Sequence, residues 1–261
     1  MLPAFNSGAE LATMERWLNV AVKGSASWPT KESTVVFQGK RFILKPATHD
    51  TEQSVHINLR GINEADALTL INRFLSVLSW CDDQPMENRY GWSGNPIPVS
   101  VPRELRIVGA SSAFPFGRIM EPDKKAKLAL ALFREGRSVN SIPFEFLSYF
   151  KILNIFWKDR WQIINDHREN PMIEGIRAAL PHLRSVTAVN RVCALGDTQP
   201  DVPKYLYESG RCAVAHAYTD PIIDPDDICD LRRLSEDISI VKEIAEFLIV
   251  TELGVSRSIM G

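Results

Sequence analysis

The sequence lacks most of the features that mark the commoner chemistries. Its four cysteines, Cys81, Cys193, Cys212 and Cys229, lie far apart. None falls in a CxxC or other metal-ligand spacing, which argues against zinc and for free thiols in a reducing compartment. Histidine is scarce, five in 261 residues, and no HExxH pair occurs. There is no GxSxG elbow, and Gly91, Gly94 and Gly109 fit no phosphate-loop pattern. Neither sign of charge dominates: 30 Lys and Arg against 32 Asp and Glu leave a formal charge of -2. A protein that wraps long nucleic acid needs a broad basic surface to release counterions, so any nucleic acid here is expected to be held locally. The longest hydrophobic stretch, Ile142 to Ile164, is broken by Glu145, Lys151, Lys158, Asp159 and Arg160, a charge density that excludes a bilayer span. The opening MLPAFNSGAELATMER has no basic segment leading into an apolar core, so no secretory leader is predicted and a cytoplasmic location is expected.

What is present is ordinary globular material. Hydrophobic residues make up 45% and charged residues 24%, enough for one large domain or two average ones. Residues 1–118 are expected to form a small α+β domain ending in a loose connector. Residues 10–22 are predicted as a short amphipathic helix. Thr34–Phe37 and Arg41–Lys45 are β-rich runs around Gln38-Gly39-Lys40, a hairpin signal. Ser54–Leu59 alternates Val55, Ile57 and Leu59 with polar neighbours, which predicts a half-buried strand. Asn63 is a natural cap for a helix over Glu64–Trp80. Beyond it, residues 82–118 are rich in Pro, Gly and Ser, with short strands expected near Arg89–Trp92 and Ile97–Val101.

Residues 119–261 are expected to be all-α. A helix is predicted over Pro122–Glu135. Another, capped by Ser141 with Pro143 in its first turn, is predicted over Ile142–His167, apolar on so many faces that it belongs at the centre of a bundle. A shorter helix over Met172–Leu180 stops at Pro181, and Asp201 caps a helix through Ala217. The last helix is predicted to start at Asp224 as cap, with Pro225 in its first turn and Asp226 and Asp227 facing the positive end. That role accounts for most of the acidic cluster Asp220, Asp224, Asp226, Asp227 and Asp230 without a cation.

The segment Tyr205–Ala217, YLYESGRCAVAHA, is the most unusual in the chain. Its small residues, Gly210, Ala213, Ala215 and Ala217, allow close helix approach, yet it places Arg211 and His216 there. A guanidinium in such a place needs a partner, and Glu208, three residues earlier, is the candidate. Two other Arg/His pairs, Arg160 with His167 and Arg177 with His182, are set aside. The first lies in a charge-rich segment, and the second has Pro181 between its members. On an ideal helix Arg211 and His216 point about 140° apart, so they are expected to flank a groove.

Arg211-x4-His216 resembles the motif of HEPN ribonucleases, an Arg followed four to six residues later by His. That resemblance implies a helical bundle, a homodimer joining two such pairs in one cleft, and metal-free RNA cleavage by Arg211 and His216, in a defence or toxin setting. Active members often carry Asn, Asp or His directly after the Arg, where this chain has Cys212. LALALFREG (128–136), SIPFEFLSYFKILN (141–154), YLYESGRCAVAHA (205–217) and DPDDICDLRRLSEDI (224–238) are also similar to the MauJ-type family, named for methylamine-utilisation gene clusters. This second likeness implies the bundle and an operon-encoded partner rather than an activity. Three readings follow: a HEPN-type endoribonuclease needing no cofactor, a non-catalytic binding or accessory module, and a nucleotide sensor anchored on Arg211.

Overall fold

In a computed structural model the chain divides at Glu121/Pro122 into two compact units. Residues 15–102, 123–164, 167–216 and 222–256 are described, with the side chains of residues 164, 167 and 168 left out.

The first unit is an antiparallel five-stranded sheet with one helix packed on it. In chain order it contains β1 (Trp17–Gly24), β2 (Ser33–Phe37), β3 (Lys40–Lys45), β4 (Ser54–Asn58), α1 (Glu64–Asp82) and β5 (Met86–Asn95). The sheet order is β2-β3-β4-β1-β5. The β2–β3 hairpin forms where Gln38-Gly39 predicts it. Both turn residues have positive φ, 47° and 70°, the two-residue geometry whose twist matches that of the strands and for which glycine is suited. Asn63 caps α1 by accepting from the Asp66 amide. Phe37, Phe42 and Phe74 join sheet to helix through ring contacts of 5.4–5.9 Å.

Three expectations for this unit are corrected. Residues 17–22 form a strand rather than part of a helix, and residues 10–14 lie outside the described residues. Trp17–Val22 is buried on both faces, so its apolar run comes from a central strand covered on both sides. The strand expected near Arg89–Trp92 is present but longer, running over Met86–Asn95 and pairing with β1 as an edge strand. Ile97–Val101 is not a strand; its surroundings contribute only an isolated bridge, Thr51 to Pro102.

The second unit is helical with one small hairpin. It contains α2 (Lys124–Ser138), α3 (Ile142–Leu153), the strands β6 (Gln162–Ile164) and β7 (His167–Glu169), α4 (Pro171–Ala179) and α5 (Val186–Gly196). A composite stretch follows: α6 (Val202–Tyr205), a π-helical segment (Leu206–Cys212) and α7 (Ala213–Ala215). The long α8 (Ile228–Thr251) completes it. Its core is built from Phe133, Phe146, Tyr149, Phe150 and Ile152 of α2 and α3 with Ile240, Val241, Ile244 and Ile249 of α8, all at most 1% exposed. Among the described residues no helix is long and apolar enough to cross a membrane.

Here too the sequence reading needs correction. The helix expected over Ile142–His167 ends at Leu153, and the chain turns through Asn154–Trp157 into the β6–β7 hairpin. α5 was not anticipated; only Ala188 and Leu195 of it are buried, too narrow a stripe to stand out from a single sequence. α8 starts at Asp227 instead of Asp224. Asp227 accepts from the Cys229 amide, while Asp224 turns the approach by accepting from the Asp226 amide.

Candidate functional site

The composite stretch from Val202 to His216 builds the site. Asp201 caps it, accepting from the Lys204 amide at 3.2 Å. From Leu206 the winding widens into a π-helix, in which bonds run from i to i+5 and which recurs at functional sites. Gly210 is required: a Cβ there would lie 2.5 Å from the buried Phe146 ring of α3, so only glycine lets this wide turn lie against it. His216 then leaves the helix with an extended backbone (φ -132°, ψ 120°).

This path brings together the two side chains that an ideal helix would hold apart. Arg211 Nη1 lies 3.1 Å from His216 Nε2. A guanidinium only donates hydrogen bonds, so Nε2 must be the acceptor. The imidazole making this contact is therefore neutral, with its proton on Nδ1. Both groups are partly exposed, and the Arg211 side chain retains 23% of its accessible surface.

The partner of Arg211 is not Glu208, which instead faces Lys204 at 3.9 Å. It is Asp159, from the turn after α3. Arg211 Nη2 donates to Asp159 Oδ2 at 2.5 Å, and the Tyr207 hydroxyl donates to Asp159 Oδ1 at 2.6 Å. The guanidinium also sits 5.9 Å from the Tyr207 ring centroid. Burial first, and then the bond to Asp159, push the Tyr207 hydroxyl well above its ordinary value, so it remains a proton donor. Cys212, the other candidate supporting residue, places its Sγ 3.8 Å from Arg211 Nη1. Asp159, Tyr207, Arg211 and His216 thus form one connected cluster at the edge of the bundle.

Sequence reasoning singled out Arg211 and His216 but missed Asp159 and Tyr207. Tyr207 had a signal, since four residues before Arg211 is a helical neighbour. Asp159 had none; it lies in a charge-rich segment of the helix predicted over Ile142–His167, 48 residues from Tyr207. Of the pairs set aside, Arg177 and His182 are engaged elsewhere. Arg177 donates to Glu174 and Asp201, and His182 stacks on Phe247 with centroids 4.6 Å apart. The side chain of His167 lies outside the described residues.

Among the described residues no group of three or more His, Cys, Asp or Glu is arranged to hold a metal ion. The acidic cluster before α8 is used locally, with Asp230 accepting from the Asp224 amide; Asp220 lies outside the described residues. What the site offers is a neutral imidazole, a guanidinium that can bind two oxygens, and a carboxylate occupying it at rest.

Neither a curated protein nor a solved structure matches the chain. Residues 129–250, which run from α2 to the end of α8 and carry Asp159, Tyr207, Arg211 and His216, are similar to the family described as Methylamine utilization protein MauJ.

Proposed function

We propose that the helical unit is a HEPN-like bundle acting as a metal-independent endoribonuclease, with His216 as base and Arg211 as phosphate clamp. The observation carrying this reading is the 3.1 Å contact between Arg211 Nη1 and His216 Nε2 on a partly open face. RNA supplies a 2′-hydroxyl beside each scissile phosphate, and DNA does not. The 2′-oxygen gives its proton to Nε2 as its bond to phosphorus forms. The bond from phosphorus to the 5′-oxygen breaks, and that oxygen takes the proton back from the imidazolium. Arg211 stabilises the charge building on the phosphoryl oxygens. Its Nη1 and Nη2 must first leave His216 and Asp159, and an incoming phosphate offers them two acceptors in exchange. The product is a 2′,3′-cyclic phosphate end. In this reading a second copy packs across the same face, and the N-terminal unit senses a signal or restrains the nuclease.

The test is cleavage of mixed RNA by purified protein, wild type beside Arg211→Ala and His216→Ala, with and without a chelator. Both variants are expected to lose cleavage, and the chelator to change nothing. Cleavage that survives loss of His216 or depends on magnesium overturns the proposal.

A second reading, a binding or accessory module without catalysis, is favoured by the close pairing of Arg211 with Asp159, which neutralises the guanidinium at rest. It predicts a melting temperature raised by a nucleotide or RNA, with no cut product.

A further inference from the structure

We infer that Arg233 of α8 is a positioning residue: it holds the π-helical segment in the winding that lets Arg211 meet His216. The carbonyl of Ser209 lies in the middle of that segment. Arg233 donates to it from both Nη1 and Nη2, each at 3.1 Å. A forked guanidinium on one carbonyl fixes a backbone atom in position and direction, which a single amine does less well. Arg233 is itself oriented. Its Nη1 also donates to the Tyr205 hydroxyl at 3.0 Å, and it faces Asp237 Oδ2 at 3.8 Å. Asp237 is 1% exposed at its side chain and is held in turn by Arg191 Nε at 2.8 Å and the Tyr205 hydroxyl at 2.9 Å.

The opposite side of the segment is fixed independently. Gly210, next to Ser209, lies so close to the Phe146 ring that no side chain fits between them. Phe146 is fully buried and stacked on Phe150. The wide turn is therefore clamped between the aromatic face of α3 and the Arg233 fork of α8. Arg211 is the sixth residue of this segment, whereas His216 lies beyond it, after α7 and on extended backbone, so relaxation of the segment to ordinary winding would turn Arg211 out of its present direction and away from His216. Arg233 acts through the Ser209 carbonyl, two residues before Arg211.

The contact itself can be read without any activity. In 15N-labelled protein, with the His216 resonances assigned by loss in His216→Ala, wild type is expected to show the Nδ1–H tautomer with Nε2 as acceptor. Arg233→Met is expected to move those resonances toward a solvent-exposed imidazole. Gly210→Ala, which pushes the segment off Phe146, is expected to do the same, so the idea remains testable if Arg233→Met fails to fold. Arg233→Lys, which keeps one donor for the carbonyl, is expected to restore the signal in part. Arg191→Met is the control, removing a partner of Asp237 without touching Ser209. His216 resonances unchanged in Arg233→Met or in Gly210→Ala overturn the inference. So do resonances that move equally in Arg191→Met, or show no rescue by lysine. The consequence for turnover rests on the nuclease reading. There Arg233→Met lowers kcat by roughly 10- to 100-fold with KM held, the scale of a small misplacement of reacting groups. Wild type that cleaves nothing removes the nuclease reading and leaves the spectral result standing.

Discussion

His56 in the sheet unit and His216 in the helical unit both carry their proton on Nδ1 and accept a hydrogen bond at Nε2. Around His56 every partner is neutral and internal. Nδ1 donates to Asn19 Oδ1 at 2.8 Å, and Ser54 Oγ donates to Nε2 at 2.9 Å. Asn19 is oriented in turn by the Val99 amide and the carbonyls of Trp17 and Trp92. All three side chains are fully buried. The order Ser–His–Asn imitates a nucleophile with its base, but no substrate reaches it, and its work is to satisfy polar groups inside a sheet. His216 has a charged donor, a carboxylate one bond further on, and an open side. Burial and the charge of the partner, rather than the tautomer, separate a structural imidazole from one available for chemistry.

The widest separation is expected in activity. His216→Ala should lower RNA cleavage by roughly 10²- to 10⁴-fold while the melting temperature stays near that of wild type. A variant that loses cleavage only by unfolding would place His216 with His56 as a structural group. The next effect is on pH. Burial, helped by Lys45, lowers His56 to about 3. The folded sheet unit therefore keeps this imidazole neutral, whereas the unfolded chain takes up a proton near pH 6.5. The stability that depends on neutral His56 is complete above pH 6.5 and is lost as pH falls from there toward 3, with a slope approaching about 1.4 kcal/mol per pH unit. Denaturant midpoints measured across that window should show this slope, and His56→Gln should flatten it. An equal slope in His56→Gln would assign the loss to other groups.

A smaller change tests the resting ion pair. Asp159→Asn leaves the Arg211 guanidinium without its counter-charge, so inorganic phosphate should bind about tenfold more tightly, or about 1.4 kcal/mol, by calorimetry. Weaker binding would make Asp159 part of the anion site rather than its competitor. The smallest effect is expected from Tyr207→Phe, which removes one hydrogen bond to Asp159 and should cost about 1 kcal/mol in thermal stability.

How much of this was legible follows from how local each signal is. The Gln38-Gly39 turn, the Asn63 cap, the Ser141 start and the Asp201 cap depend on a few adjacent residues and read directly. β1 did not, because WLNVAV is covered on both faces and shows no alternation, with Asn19 buried for the sake of a histidine 37 residues away in sequence. The end of α3 was hidden because Ile155, Phe156 and Trp157 continue its apolar run through a turn. In the site, residue types pointed to Arg211 and His216, but their meeting depends on the π winding that carries Arg211 and on the extended backbone at His216. A residue count converts to an angle only when the pitch is known, and here the pitch is imposed by tertiary contacts.

Among the described residues β2 is an edge strand of the sheet, and its Val36 stands 59% exposed. Such an edge invites a strand from another chain, the first step of aggregation. Its neighbours oppose that step: Val36 is paired with Arg41, and Lys31, Glu32 and Lys40 flank the strand. With a net charge of only -2, these local charges act as gatekeepers that long-range repulsion cannot replace. Their neutralisation should appear first as lost solubility at high concentration, before any loss of fold.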